Sequence, residues 1–292
     1  MTSTTAMPTA ASLSSPFQRW RRRFLRHRVA LAASIILLLL VVIALLAPVL
    51  APYNPYQSDW LAISSFPTAA HWFGTDELGR DILSRIMYGA RLSLWVGLAS
   101  VSLGTIGGIV LGLIAGFKGG WLDSLIMRSS DVLFAFPGML LAIAVVALLG
   151  PGLNNVILAV AIFSVPIFAR LVRAQTLTLR HSTYVDASRS VGASNTTLMF
   201  RHILPATLPS VVVYFTMRIG SSILTAAGLS FIGLGPEPDV PEWGNMLASS
   251  RSLMMAGAWH VSVFPGMAIL ITVLVFNLLG DALRDTLDPK AR

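Results

Sequence analysis

The chain has 292 residues, 55% of them hydrophobic and 12% charged, with a formal net charge of +8 and no cysteine. A soluble globular domain carries about 25% charged residues. With a mean hydropathy of +0.74, these figures exclude a disordered chain, a nucleic-acid module and an ordinary cytosolic enzyme. The lack of Cys excludes disulfides, thiol catalysis and Cys-based metal sites, which leaves a polytopic membrane protein.

In chain order, residues 1–28 read as a cytoplasmic tail, and the first 18, rich in Thr, Ser and Ala, are expected to be disordered. The basic run at 21–26, RRRFLR, looks like part of an export signal. The apolar run behind it is longer than a signal core, and Pro52 disfavours cleavage after Ala51. Residues 29–51 are therefore read as an uncleaved first membrane helix. A spanning helix needs roughly 20 mostly apolar residues. Six candidate cores appear at 29–47, 92–116, 132–149, 156–171, 206–234 and 263–283, the fourth just short of that length. With the N-terminus inside, sixteen of the 21 Lys and Arg fall in cytoplasmic segments. Four fall outside (Arg80, Arg85, Arg91 and Arg251), and Arg218 lies within a span. That bias predicts both termini in the cytoplasm, including a tail at 284–292.

Segment 52–91 lies outside in this topology and carries Trp60, Trp72 and the run GTDELGRDILSR; residues 81–91 are expected to form an interfacial helix. Asp76, Glu77 and Asp81 could mimic a metal or acid–base cluster. Loop caps and ion pairs with Arg80 and Arg85 are the favoured reading. A core at 92–283 follows. Its first helix spaces Ser100, Gly104, Gly108, Gly112 and Gly116 four apart, which lets another helix backbone approach. Packing within the chain is favoured over a subunit seam. Pro137, Pro166 and Pro265 can each kink a span. A second outer loop at 235–260 ends near Trp259.

Arg218 stands about 20 Å along the fifth span at 1.5 Å per residue, near mid-membrane. A charge there costs at least ~2.5–3.5 kcal/mol. It must face a wet cavity or a partner. Contact with a substrate carboxylate or a gate is one reading, and hydrogen bonds to a neighbouring helix are the other.

The cytoplasmic loop 174–205 is long for so compact a chain. Thr183 can cap a short helix with Asp186 completing a weak capping box. Tyr184, Ala187 and Val191 then share one face. Gly192 suits the helix end, and Pro205 the first turn of the next helix. A small apolar knob on a polar loop is what a soluble partner would grip.

Asp186-Ala187-Ser188, Gly192 and Leu204-Pro205 resemble the EAA loop of bacterial ABC importer permeases, with Asp186, Ser188 and His202 departing from the pattern. Three further blocks resemble the C-type permease of dipeptide, oligopeptide and nickel importers. They are Gly74-Thr75-Asp76 through Arg85, Leu229 through Gly244, and Phe276 through Pro289. The stretch 131–173 is similar to the glutathione-type permease of that group. The resemblance implies an all-α, six-span type I ABC importer permease fold in a bacterial inner membrane. It also implies a second, non-identical permease, two ATP-binding subunits and an extracytoplasmic substrate-binding protein. Tyr184, Asp186, Ala187, Ser188, Gly192, Leu204 and Pro205 would couple to the ATPases, and Arg218 would belong to the substrate pathway.

No GxxxxGK[ST] occurs, and there are two lysines, Lys118 and Lys290. ATP and Mg are therefore expected at partner subunits, with no cofactor on this chain. None of His27, His71, His181, His202 and His260 lies centrally in a span, and Ser230 lacks the nucleophile-elbow spacing, which disfavours an intramembrane protease. The rival from another class is a stand-alone secondary transporter or channel. It would show inverted repeats or several intramembrane polar groups.

Overall fold

A computed structural model describes residues 16–287. The expected disorder at 1–18 lies almost entirely outside these residues; from Pro16 the chain is helical. Helix α1 (Pro16–Arg26) leads through His27 into α2 (Arg28–Leu50), whose first turn His27 caps by accepting from the Ala30 N–H at 3.1 Å. Then come α3 (Ile82–Lys118), α4 (Gly120–Ala135), α5 (Gly138–Leu149) and α6 (Leu153–Leu179). A short α7 (Thr183–Ser190) and one turn, α8 (Asn195–Thr197), precede a π-helical segment at Leu198–Ile203. That segment continues into α9 (Leu204–Phe231). Two short helices, α10 (Trp243–Ser249) and α11 (Arg251–Met255), precede α12 (His260–Leu287). Among the described residues, β-pairing is limited to two isolated bridges.

Five of the long helices are apolar enough to span a bilayer, and a sixth crossing results if α4 and α5 together count as one. That crossing differs from the single helix expected at 132–149. The pair bends by 94° at Phe136–Pro137. Pro137 cannot donate to the preceding turn, and its ring pushes Phe136 into an extended conformation (φ −94°, ψ 137°), so the helix stops there. Pro166 and Pro265, by contrast, lie inside continuous helices. A separate interfacial helix at 81–91 is also not what forms. Asp81 caps α3 by accepting from the Ser84 N–H at 2.8 Å, and α3 runs unbroken from Ile82.

The glycine ridge of α3 packs within the chain, against α6. A Cβ at Gly104 would lie 2.9 Å from the Ala161 carbonyl oxygen, and one at Gly108 would lie 2.9 Å from both Val165 O and Ala169 N. At Gly112 the nearest obstacle is Ala169 O at 2.6 Å, and at Gly116 it is Thr176 Cβ at 2.7 Å. Rising numbers on α3 meet rising numbers on α6, so the two helices run parallel. The intervening α4–α5 pair carries the chain back across. Helix α9 packs against α12 and α3 around a core that includes Val101, Phe168, Ile219, Ile223 and Phe276.

The two ends of the bundle differ. One gathers α7, the last residues of α3 and α6, and both ends of the described chain. There Arg180 donates to Gly116 O at 3.0 Å, and His27 Nε2 stands 3.9 Å from Asp285. The other end is closed by a cap built from 52–81 and 235–242. Asp76 accepts from Arg80 Nε at 2.7 Å, Arg85 donates to Pro55 O at 3.0 Å, and Arg80 reaches Asp239 at 3.1 Å. Asp81 pairs with His71 at 3.0 Å, and Glu242 holds Ser93 at 3.2 Å while capping α10. Asp76 and Asp81 of the GTDELGRD run thus structure a loop, as favoured above. Burial, with Asp76 alongside, raises the Glu77 carboxyl above its ordinary value.

Candidate functional site

The loop between α6 and α9 is built on Val185. It is fully buried and packs in the cluster with Leu198, Met199 and Ile203. The rest of α7 turns outward. Tyr184 is 44% and Val191 86% exposed, and Asp186 and Ala187 are also exposed. Ser188 is half-buried and donates to Tyr184 O at 2.9 Å. The start of the helix differs from the expected capping box. Ser182, not Thr183, is the N-cap residue, and its hydroxyl donates to Leu179 O at 2.6 Å. Asp186 instead accepts from Arg189 at 2.8 Å. One residue earlier is where the chain leaves α6, so the extended backbone that a cap requires falls at Ser182 (φ −75°, ψ 147°).

Gly192 ends the helix at φ +88°, the left-handed conformation that favours glycine, with no atom within 4 Å of where a Cβ would point. Its N–H donates to Arg189 O at 3.0 Å. Pro205 sits in the first turn of α9, directly after the π-helical segment, and is exposed; Leu204 is half-buried against the core. Tyr184, Asp186, Ala187 and Ser188 therefore fall on one short rod that Gly192 ends, while Leu204 and Pro205 lie apart from it at the start of α9. Val185 holds the rod in place, and the sequence analysis missed it: a single valine in a polar helix, off the Tyr184–Ala187–Val191 face, gives no periodic signal.

Arg218 lies on α9, half-buried. Its Nη1 donates to Ser221 Oγ at 3.1 Å and its Nε to Ser164 Oγ of α6 at 3.4 Å. The guanidinium carbon is 5.2 Å from the centre of the Phe163 ring. No carboxylate pairs with it among the described residues. Two arginines of α6 are neutralised in pairs. Arg173 chelates Asp123, one bond being 2.6 Å, and Arg170 pairs with Asp131 while lying over the Phe134 ring. These two pairs pin the polar half of the bent crossing, α4, to α6. The α7 rod and Arg218 are not adjacent: one is at the end of the bundle, the other deep in a span.

Comparison with known proteins gives the family. Residues 108–292 match the model of the binding-protein-dependent transport system inner membrane component, and residues 15–67 match the N-terminal membrane domain of oligopeptide transport permease C. The glutathione transport system permease protein GsiD of Pectobacterium atrosepticum is 55% identical over 282 residues, 96% of this chain and 93% of that one. The protein of the same name from Escherichia coli O6:K15:H31 is 53% identical over 279 residues, 95% and 92% of the two chains. Among solved structures, an inward-facing methionine ABC transporter aligns with a TM-score of 0.56 at 17% identity, over 69% of this chain and 96% of its own. An amino acid ABC transporter with histidines aligns at 0.54 and 15% identity, over 68% and 92%. These two establish the type I importer permease fold.

Proposed function

The chain belongs to the family of inner membrane components of binding-protein-dependent transport systems, and from that membership we propose how it is driven and what it carries. It is a multi-pass inner-membrane permease subunit and a translocation component rather than an enzyme. It works with ATPase subunits and a substrate-binding protein. In the proposed assembly it forms half of the pathway beside a second, non-identical permease, over two ATPases that bind ATP and Mg. The α7 end of the bundle, with both termini, faces the cytoplasm, and the cap of 52–81 and 235–242 faces the binding protein. The carried solutes are di- and oligopeptides or related small molecules such as glutathione, the solute named for the relatives that match over nearly the whole chain.

The observation that carries the coupling role is the outward face of α7. Tyr184, Ala187 and Val191 are apolar, exposed and rigidly presented by a buried anchor. A lone monomer would gain nothing from exposing them. ATP binding would close the ATPases, displace the rod and rock α9 with it, because buried Val185 packs against Leu198, Met199 and Ile203 of the segment that continues into α9. Purification of the tagged chain from native membranes in mild detergent tests the assembly. Mass spectrometry is expected to find a second permease and one or two P-loop ATPases in stable association. A chain that purifies alone, as a monomer or homo-oligomer, would contradict it.

A further inference from the structure

Helix α9 carries a polar stripe that the apolar average of the span conceals. Tyr214 is 49% exposed, and Ser210, Arg218, Ser221 and Thr225 are each partly exposed. At 100° per residue they fall within an arc of about 80°. On the far side of the same helix the exposed residues are apolar, Leu208 at 42% and Val212 at 45%. Lipid tails satisfy Leu208 and Val212. Ser221 and Thr225 turn their hydroxyl protons onto helix carbonyls, Arg218 O at 3.0 Å and Ser221 O at 2.9 Å, but lipid tails cannot satisfy the guanidinium in the middle of the stripe. At its α7 end the stripe opens into a cavity of about 430 Å³ that Ser210 and Tyr214 line together with Gln175 and Arg284.

Two of the five guanidinium N–H groups of Arg218 are engaged, one by Ser221 and one by Ser164. Both acceptors are neutral, so the charge is held in place without being neutralised. Phe163 closes one side of the guanidinium, and the break of the crossing at Pro137–Gly138 lies against the same ring. The remaining three donors form a fork suited to a carboxylate.

We propose that this stripe is the wetted wall of the solute path and that Arg218 is a specificity residue in it, drawing solutes through by their carboxylate. The inference rests on the permease reading and adds the class of solute: anions, or zwitterions that lead with a carboxylate. Neutral and cationic analogues pass this point more slowly. The guanidinium need not hold the solute tightly; it lowers the barrier that mid-membrane burial would otherwise impose on a negative charge.

The test uses the assembled importer in proteoliposomes; because this chain has no native cysteine, labelling of this subunit reports the introduced position alone. Single cysteines are placed at Ser221 and Thr225 on the stripe and at Val212 opposite. Each is exposed to an anionic (sulfonatoethyl) and a cationic (trimethylammonioethyl) methanethiosulfonate, without nucleotide and in the vanadate-trapped state. The stripe positions are expected to react in at least one state and Val212→Cys in neither. At Ser221→Cys the anionic reagent is expected to gain roughly tenfold over the cationic one relative to their rates with free thiol, the low end of focused electrostatic steering. Arg218→Gln is expected to erase that gain, and Arg218→Lys to restore part of it. Stripe cysteines that stay unreactive in both states, or a reagent ratio that Arg218→Gln leaves unchanged, would overturn the proposal and assign Arg218 to helix packing. ATP-dependent uptake by the cysteine variants, measured in the same vesicles, stands apart from these ratios. Its absence in a correctly assembled complex would count against the permease reading itself.

Discussion

Gly108→Leu is expected to prevent the subunit from accumulating in the membrane. Any side chain at 108 must displace α6 backbone, because Val165 O and Ala169 N both lie 2.9 Å from the Cβ position, with Phe168 Cβ closer still. Overpacking costs typically 1–3 kcal/mol where side chains can move aside. Here the obstacles are backbone atoms of a helix that Gly104, Gly112 and Gly116 hold equally close, so the loss is expected to reach at least about 3 kcal/mol. Neighbouring Gly107 provides the contrast. Its Cβ would meet a Val165 methyl at 3.2 Å, a group that can rotate, and Gly266 has no neighbour within 4 Å. Gly107→Ala and Gly266→Ala are expected to accumulate normally. Immunoblots of membrane fractions and melting of the complex in detergent measure all three. Wild-type levels of Gly108→Leu would mean that the α3–α6 seam is looser than the structure has it.

Gly192→Arg is expected to have the opposite signature: a normally assembled subunit that no longer transports. The new side chain meets nothing within 4 Å. The cost to the fold is thus confined to a left-handed backbone, about 1–2 kcal/mol. The bulk and charge project from the end of α7, beside exposed Val191. If that surface seats an ATPase, one obstructing side chain costs on the order of 2 kcal/mol or more, roughly a thirtyfold loss of occupancy. ATP-dependent uptake should fall accordingly while the amount of subunit, and its pairing with the second permease, change little. Gly192→Ala carries the backbone strain without the obstruction and is expected to keep most of the activity. Uptake at the wild-type level in Gly192→Arg would remove α7 from the coupling role.

The contrast between these variants reflects what was legible in the chain. The Gly104–Gly116 ridge was visible because a spacing of four maps directly onto one helical face, and the structure places α6 on it. The loop 174–205 was legible as an outward rod because Gly192 and Pro205 are punctuation with few alternatives, although its N-cap falls at Ser182 rather than in the expected Thr183–Asp186 box. Its anchor was not. Val185 is buried by Leu198 and Ile203, which follow a turn, so its role depends on tertiary contact rather than period. The bent crossing was missed for a related reason. Hydropathy set 120–131 aside because of Asp123, Arg128 and Asp131. Asp123 and Asp131 are matched by Arg173 and Arg170 of α6, far along the chain, which lets α4 pack as part of the crossing. Pro137 looked like one more tolerated membrane proline, although it is where the direction changes by 94°. The α9 stripe was spaced legibly but averaged away. Ser, Thr and Tyr score near neutral among so many Val and Ile, and Arg218 alone stood out.

The most direct test of the account is a cross-link from the tip of α7. Val191 is 86% exposed at the end of the rod, and the chain has no other thiol to compete once Val191→Cys is introduced. The purified importer is treated with a short cysteine–lysine cross-linker, and the joined peptides are identified by mass spectrometry. The prediction is a cross-link to a P-loop ATPase subunit that changes in yield when ATP is bound. A Val191→Cys that is fully reactive to free maleimide yet never joins an ATPase, with or without ATP, would contradict it.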